Sequence, residues 1–238
     1  MKIKIIQKII DKLRGKKKKI ANNLDISNII NINPADINKI RLQITGKNNV
    51  ITIGCLSEKM LSEIDISICG DNCSVCIGDN FYTSQGTHIL LGCNHENYGK
   101  IKDTHLTIGT NTTIEGARII TFNSHSTISI GNDCMFSEHI TIYNTDSHPI
   151  YDITNGKIIN YVKNITIGNH CWVGMDVKIM KNTSIADNCI IGAGAIVTSP
   201  ITQANSIAAG IPAKIVKENT TWKRSDKNWI QGIDNVAI

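Results

Sequence analysis

Residues 167–202, read in sixes, are I-G-N-H-C-W, V-G-M-D-V-K, I-M-K-N-T-S, I-A-D-N-C-I, I-G-A-G-A-I and V-T-S-P-I-T. Ile167, Val173, Ile179, Ile185, Ile191 and Val197 therefore stand six apart without interruption. The residue after each aliphatic is mostly small, and the fifth is often small or β-branched. A period of six fits neither an ordinary helix nor the two-residue alternation of an open sheet. It fits a short strand, a corner and a second strand, so that three units close a triangular coil of about 18 residues. The aliphatic points inward and stacks on the coil above. No coil has a core of its own, so each is stable only against its neighbours. Ile and Val suit so narrow an interior because their χ1 is already restricted. Working outward, the same phase recurs at Ile108, Ile114 and Ile120 and at Ile130, Phe136 and Ile142. Ragged copies precede it at Ile53-Gly54, Ile68 to Gly70 and Ile77-Gly78. The expected fold is all-β, a solenoid of hexapeptide repeats.

Composition agrees. Among 238 residues there are 47 Ile against 8 Leu, and 26 Asn. Ile favours strands, and Asn tolerates the left-handed turns between them. With 41% apolar and 19% charged residues the chain is too apolar for disorder. The same balance excludes a helical bundle, a coiled coil or a collagen-like chain. No apolar run reaches the roughly 20 residues of a membrane span, and the start, M-K-I-K-I-I-Q-K-I-I-D, has no secretory apolar core. The net charge of +5 is uneven: residues 1–19 hold nine basic groups and one acid, so the rest of the chain is slightly acidic. That basic segment reads as a solvated tail, with a weak contact to anionic lipid open through Ile6, Ile9, Ile10 and Leu13. It has no aromatic stacking residues, so no nucleic-acid partner is expected.

Two stretches break the repeat. Residues 92–104 form a short insertion and residues 143–164 a longer one, and a long irregular loop in a regular coil is more often functional than decorative. The resulting division is a basic N-terminal segment over 1–45, the repeat domain over 46–217 with its loop at 143–164, and a C-terminal cap over 218–238. Eight Cys without a secretory signal predict reduced thiols and a cytoplasmic location. Cys69, Cys73 and Cys76 have a cluster-like C-x3-C-x2-C spacing, but lack the alternating strands and helices that cluster enzymes of that type use. Cys93 with His95 lacks a second pair for zinc, so no metal is expected.

Three features carry a family resemblance: D-S-H-P at 146–149, I-G-N-H-C-W-V-G at 167–174, and I-G-A-G-A-I-V-T followed by A-A-G-I-P-A-K-I-V-K. On these the chain resembles the hexapeptide-repeat acyltransferases over roughly residues 46–217. It looks most like the O-acetyltransferases of bacterial surface sugars, including those acting on polysialic acid, and is also similar to galactoside and maltose acetyltransferases. The resemblance implies a left-handed parallel β-helix with a protruding catalytic loop, acetyl-CoA as acyl donor, a saccharide acceptor, and a homotrimer with active sites between subunits. It places the catalytic His on His148 and the family's indole on Trp172. Ala193 and Thr198 fall on positions lining the CoA groove, with Gly174, Met175 and Gly192 beside them. Lys214 and Lys217 fall on basic positions near the CoA phosphates. Met175 and Ser199 depart from the Ser and Lys that many relatives carry there.

The chemistry fits these residue types. Acetylating a hydroxyl needs a base for its proton, and a neutral imidazole suits that role near neutral pH. Asp146, or a backbone carbonyl, is placed to fix the tautomer of His148. The thioester oxygen needs a donor as charge develops on it, and the Trp172 indole N–H or a backbone N–H qualifies. Gly192, Ala193 and Gly194 would leave room for the pantetheine arm, and Lys214, Lys217 and Arg224 would neutralise phosphate. Three rivals are open: N-acetylation of an amino sugar, a trimeric metalloenzyme built on His125, His139 or His170, and a non-enzymatic β-helical binding or ice-binding protein. Thr residues scattered rather than arrayed on one face speak against the last.

Overall fold

The computed structural model describes residues 24–92 and 99–225. Among these residues twenty strands and one short 3-10 helix, Ile37–Lys39, build a three-sided parallel β-helix. The first face is a seven-stranded sheet running from Ile29–Ile32 to Ser184–Ile185. The other two faces belong to one thirteen-stranded sheet that turns a corner inside continuous strands. In Thr113–Thr121, for example, Thr113 and Ile114 pair with Met135 and Phe136 on the second face, while Ala117 to Ile120 pair with Ile140 to Tyr143 on the third.

The register measures each coil. Thr166 pairs with Ser184, 18 residues on, which is the undecorated coil the hexads specify. Ile128 pairs with Ile165, 37 residues on, because the 143–164 loop is spliced into that coil. Ser74 pairs with His105, 31 residues on, because of the shorter insertion.

The interior is the expected aliphatic ladder. Ile142, Ile179 and Val197 stack on the third face, Phe136, Val173 and Ile191 on the second, and Ile130, Ile167 and Ile185 on the first, all essentially buried. Burial of this kind contributes roughly 1.5–3 kcal/mol per side chain, which offsets the entropy of ordering coils with few cross-links. One hexad expectation shifts: the ladder partner of Ile142 is Ile119, not Ile120. The strand Thr113–Thr121 rounds its corner one residue early, so Ile114 and Ile119, five apart, are the inward pair.

The stack also starts before residue 46. Ile29–Ile32 pair in parallel with Val50–Ile53, and Ile40–Thr45 with Ile64–Cys69, so the described part of the expected N-terminal segment already forms a coil. Residues 1–19, with the basic run, lie outside the described residues. At the far end Lys214–Glu218 adds antiparallel to Ser206–Ala209 and closes the edge, as expected of a terminal strand.

The Asn content has its physical reason at the corners. Fifteen described non-glycine residues hold positive φ between 51° and 63°, eight of them Asn, with Asp103, Asp133, Asp176, His125, His139 and His170 among the rest. Short polar side chains tolerate this left-handed backbone and bond to the next coil. Asn72 Nδ2, for instance, donates to Asp103 Oδ1 at 3.2 Å, and His125 Nδ1 faces the same carboxylate at 3.3 Å.

Candidate active site

The loop that carries His148 leaves the corner where the third face would pass to the first. Asn144 is still on the ladder, its N–H donating to Ile120 O at 2.8 Å. Thr145 is buried, and its Oγ1 accepts from Ser147 N at 2.9 Å. His148 N then donates to Asp146 O at 2.7 Å, closing a γ-turn around Ser147, whose φ is 63°. Such a turn is strained for a residue with a Cβ. It is held by the Thr145 bond and by Ser147 Oγ meeting Tyr143 OH at 2.8 Å. The turn leaves His148 exposed at the rim of a cleft of about 310 Å³ lined by Phe122, Asn123, Asp146, Ile158 and Tyr161.

Two residues that the sequence reading did not single out hold this loop. Asn160 Nδ2 donates to Asp146 Oδ2 at 2.7 Å and to His148 O at 2.9 Å, while its Oδ1 accepts from Ile150 N at 2.8 Å. Lys181 Nζ, from the next coil, reaches Asp146 Oδ2 at 2.7 Å and Asn160 O at 3.3 Å. Asp146 therefore acts on His148 through the turn, its carbonyl accepting the His148 N–H while its carboxylate anchors the loop to Lys181. A single Asn inside an insertion rich in Asn carries no spacing signal, and Lys181 merely occupies a corner of a hexad. Neither could be picked out before the loop was folded.

Partial burial raises the Asp146 carboxyl, but the Lys181 ammonium and Asn160 amide beside it prevail and hold it below the ordinary carboxylate range. A carboxylate depressed in the fold contributes stability that is fully present above its unfolded value, about 3.9, and is lost as pH falls through the folded value. Thermal melts from pH 7 downward are thus expected to show the wild-type advantage over Asp146→Asn constant above the ordinary carboxylate range and shrinking as pH falls below about 3.9. An advantage independent of pH would remove the ion pair from the loop's support.

Trp172 stands elsewhere. It lies on the second face, paired with Met135 and Ile190, and is 37% exposed. In a three-sided coil the second face is opposite the corner that bears His148, so one chain does not bring the two together. Trp172 is instead grouped with the stacked corners of Gly174, Met175, Gly192 and Ala193, and with Lys214 and Lys217 on the closing strand three ladder steps away. Thr198 and Ser199 are exposed at the far end of the third face, on the His148 side.

Two residues here are fixed by the fold itself. Gly174 is required by coil stacking: a Cβ there would meet Ala193 N at 2.7 Å. Room at the corner comes from Gly194, left-handed at φ 70° with nothing within 4 Å of a notional Cβ. Arg224 does not offer its guanidinium to a phosphate. It donates from Nε to Asp133 Oδ1 at 3.1 Å, to Thr113 Oγ1 at 2.8 Å, and to the carbonyls of Asn111 and Cys134, each at 2.9 Å.

Three further histidines stand at three different corners, each beside a carboxylate: His125 with Asp103, His139 with Asp176 at 3.3 Å, and His170 with Asp133 at 2.7 Å. Among the described residues no group of three His, Cys, Asp or Glu is placed to hold a metal ion. Cys69 and Cys73 are buried while Cys76 faces outward, and burial pushes the Cys73 thiol up. Cys93 and His95 lie outside the described residues.

Comparison with known proteins decides the family. Residues 164–199 match the model of the bacterial transferase hexapeptide, six repeats. The chain is 37% identical over 204 residues to the polysialic acid O-acetyltransferase of Neisseria meningitidis, covering 84% of this chain and 87% of that one. This chain is a hexapeptide-repeat O-acetyltransferase. Another polysialic acid O-acetyltransferase, from Escherichia coli O1:K1 / APEC, is 44% identical over 126 residues, covering 53% of this chain and 40% of its own length. Among solved structures this acetyltransferase is similar to the polySia-specific acetyltransferase NeuO, with a TM-score of 0.64, 32% identity and coverage of 80% of this chain and 91% of the other. The polysialic acid O-acetyltransferase OatWY gives a TM-score of 0.57 at 29% identity, over 91% and 93% of the two chains. The solenoid of this acetyltransferase is accordingly the left-handed parallel β-helix of the hexapeptide-repeat enzymes. No helix among its described residues is long and apolar enough to cross a membrane.

Proposed function

We propose that this O-acetyltransferase moves the acetyl group of acetyl-CoA onto a hydroxyl of a sialic acid-containing bacterial saccharide directly, without an acyl-enzyme, with His148 as the general base. The observation that carries this is the γ-turn that presents the imidazole at the rim of the cleft, in a chain related along most of its length to a polysialic acid O-acetyltransferase. His148 takes the hydroxyl proton as the oxygen attacks the thioester carbon. The C–S bond breaks, and the imidazolium returns the proton to the departing thiolate, yielding free CoA and an ester. The Trp172 indole N–H or a backbone N–H stabilises the oxyanion between these events. Asp146 is a positioning residue that acts through the turn. Gly174, Met175, Gly192, Ala193 and Thr198 line the pantetheine path, and Lys214 and Lys217 face the phosphates, with both Lys side chains exposed for that contact. Because acetyl-CoA is made inside the cell, the enzyme works in the cytoplasm.

The site needs two copies of the chain, since His148 and Trp172 lie on opposite sides of one. A further feature supports a neighbour there. The His148 finger exposes Ile150, Tyr151, Ile153, Ile159 and Tyr161, with Ile153 98% exposed, an apolar edge that a neighbouring copy would cover in a homotrimer.

Acceptor profiling tests the substrate. Purified enzyme with acetyl-CoA is offered an α-linked sialic acid polymer, a neutral galactoside and a free amino sugar, and the products are read by mass spectrometry. Ester formation on the sialic acid polymer is the expected result. Amide formation on the amino sugar alone would replace this reading with N-acetylation.

A further inference from the structure

The segment after the closing strand does not leave the solenoid. Asn219, at φ 56°, turns it back along the corner between the first and second faces. It then meets one left-handed corner residue per coil. Thr220 N donates to Asn205 O at 2.8 Å, and Thr221 Oγ1 donates to Asn188 Oδ1 at 2.9 Å. Trp222 Nε1 donates to His170 O at 2.8 Å, and Arg224 reaches Asp133 and Asn111. Coils are stacked about 4.8 Å apart while an extended residue advances about 3.3 Å, so a strap crossing them needs long side chains at its far end. Arg224, with four hydrogen bonds, supplies that reach.

Trp222 is the centre of this strap. It is 6% exposed, although it sits on the outside of a solenoid corner. Its indole lies flat on the His170 ring, centroids 4.3 Å apart at 11°, with the Arg224 guanidinium 5.7 Å from its centroid. The His170 ring is itself fixed at both nitrogens, by Asp133 Oδ2 at 2.7 Å and Trp222 O at 3.1 Å. The remaining neighbour of Trp222 is the indole of Trp172, 6.2 Å away and tilted by 48°, within the range of a favourable aromatic pair. Trp172 is a side chain 37% exposed on a strand of two residues, Trp172–Val173, between Met135 and Ile190 on the ladder, and Trp222 is its aromatic neighbour from the strap.

We propose that Trp222, held in the strap by Arg224 and Thr221, is a positioning residue for the reaction: it sets the orientation of the Trp172 indole toward the thioester. This rests on the reading of Trp172 as part of the acetyl-CoA site. The strap runs from the last coils back to the corner of Asp133 and Asn111, so it fixes the rung of Trp172 against coils on both sides of it. An aromatic pair contributes about 0.5–1.5 kcal/mol, which corresponds to about a 2- to 10-fold effect in an equilibrium constant.

The test compares Trp222→Ala with Trp222→Phe in the full chain, on two readouts. In steady-state kinetics the Ala variant should raise KM for acetyl-CoA or lower kcat by about 2- to 10-fold, leave KM for the saccharide within error, and be largely rescued by Phe. In the second, Trp229→Phe is added to both variants so that Trp172 is the sole emitter. Time-resolved fluorescence anisotropy should then show faster local rotation of Trp172 in the Ala background than in the Phe background. Equal decays in the two backgrounds would overturn the packing half of the proposal. Slower rotation with Phe but unchanged kinetics in both variants would overturn the catalytic half. A wild-type enzyme that transfers no acetyl group would instead refute the function proposed above, while the anisotropy comparison would still judge the strap.

Discussion

Replacing His148 with alanine is expected to lower kcat for acetyl transfer about 10²- to 10⁴-fold, the usual contribution of a positioned general base. The expectation rests on where the side chain is. His148 is exposed at the cleft rim, and the turn beneath it is closed by its backbone N–H, by Thr145 and by Asn160. None of these bonds needs the imidazole, so the loop should survive the substitution. KM for acetyl-CoA should change little, because the groups proposed to hold the coenzyme, from the corners of Gly174 and Gly192 to Thr198 and the closing strand, do not include His148. Steady-state kinetics and a thermal melt on the same preparation separate loss of the base from loss of the fold. His148→Gln keeps polarity and volume but accepts no proton at neutral pH, and it should be as impaired as alanine. Turnover within a few-fold of wild type in either variant, with folding intact, would exclude His148 as the base.

The coil architecture was legible in the sequence because one physical constraint repeats: a narrow core admits one inward aliphatic per side, so the period survives in Ile167 through Val197. Left-handed corners left the second trace, in the excess of Asn. Register was less legible wherever a strand continues round a corner, as at Ile119 and Ile120, since adjacent isoleucines give the pattern two choices. The start of the stack was missed because its coils, with partner separations of 21 to 31 residues from Ile29 to His105, keep no hexad phase.

The site divides in the same way. His148 and Trp172 stood out because they lie in D-S-H-P and I-G-N-H-C-W-V-G, two of the stretches that carry the family resemblance. Asn160 and Lys181 could not, because their roles come from how an irregular loop folds over the next coil. Arg224 hides its role for a related reason: a basic residue in a lysine-bearing tail looks free in sequence, yet its partners Thr113 and Asn111 are more than a hundred residues away. Long-range polar contacts on the outside of a solenoid have no period to betray them.

Mixing two inactive variants is expected to restore activity. One preparation carries His148→Ala and the other Trp172→Ala, each depressed on its own. If His148 of one copy works beside Trp172 of the next, a trimer built from both variants contains some sites with an intact residue on each side. After co-refolding or co-expression in equal amounts, random assembly leaves about a quarter of sites intact, so recovery of about a quarter of wild-type activity is expected, independent of total protein concentration once assembled. The alternative, a site complete within one chain, predicts no recovery at any mixing ratio, since every chain then lacks one essential group. The arrangement of the β-helix favours recovery. His148 rises from the corner that closes the third face, Trp172 lies on the face across the core from it, and the interior between them is filled by Ile142, Ile179 and Val173 with no passage for a substrate. Two groups separated by a packed core can meet at one reacting carbon only if a second copy brings its own face to the finger. Failure to complement, in variants shown by native mass spectrometry to form mixed oligomers, would force the reacting groups back onto a single chain and remove Trp172 from the chemistry.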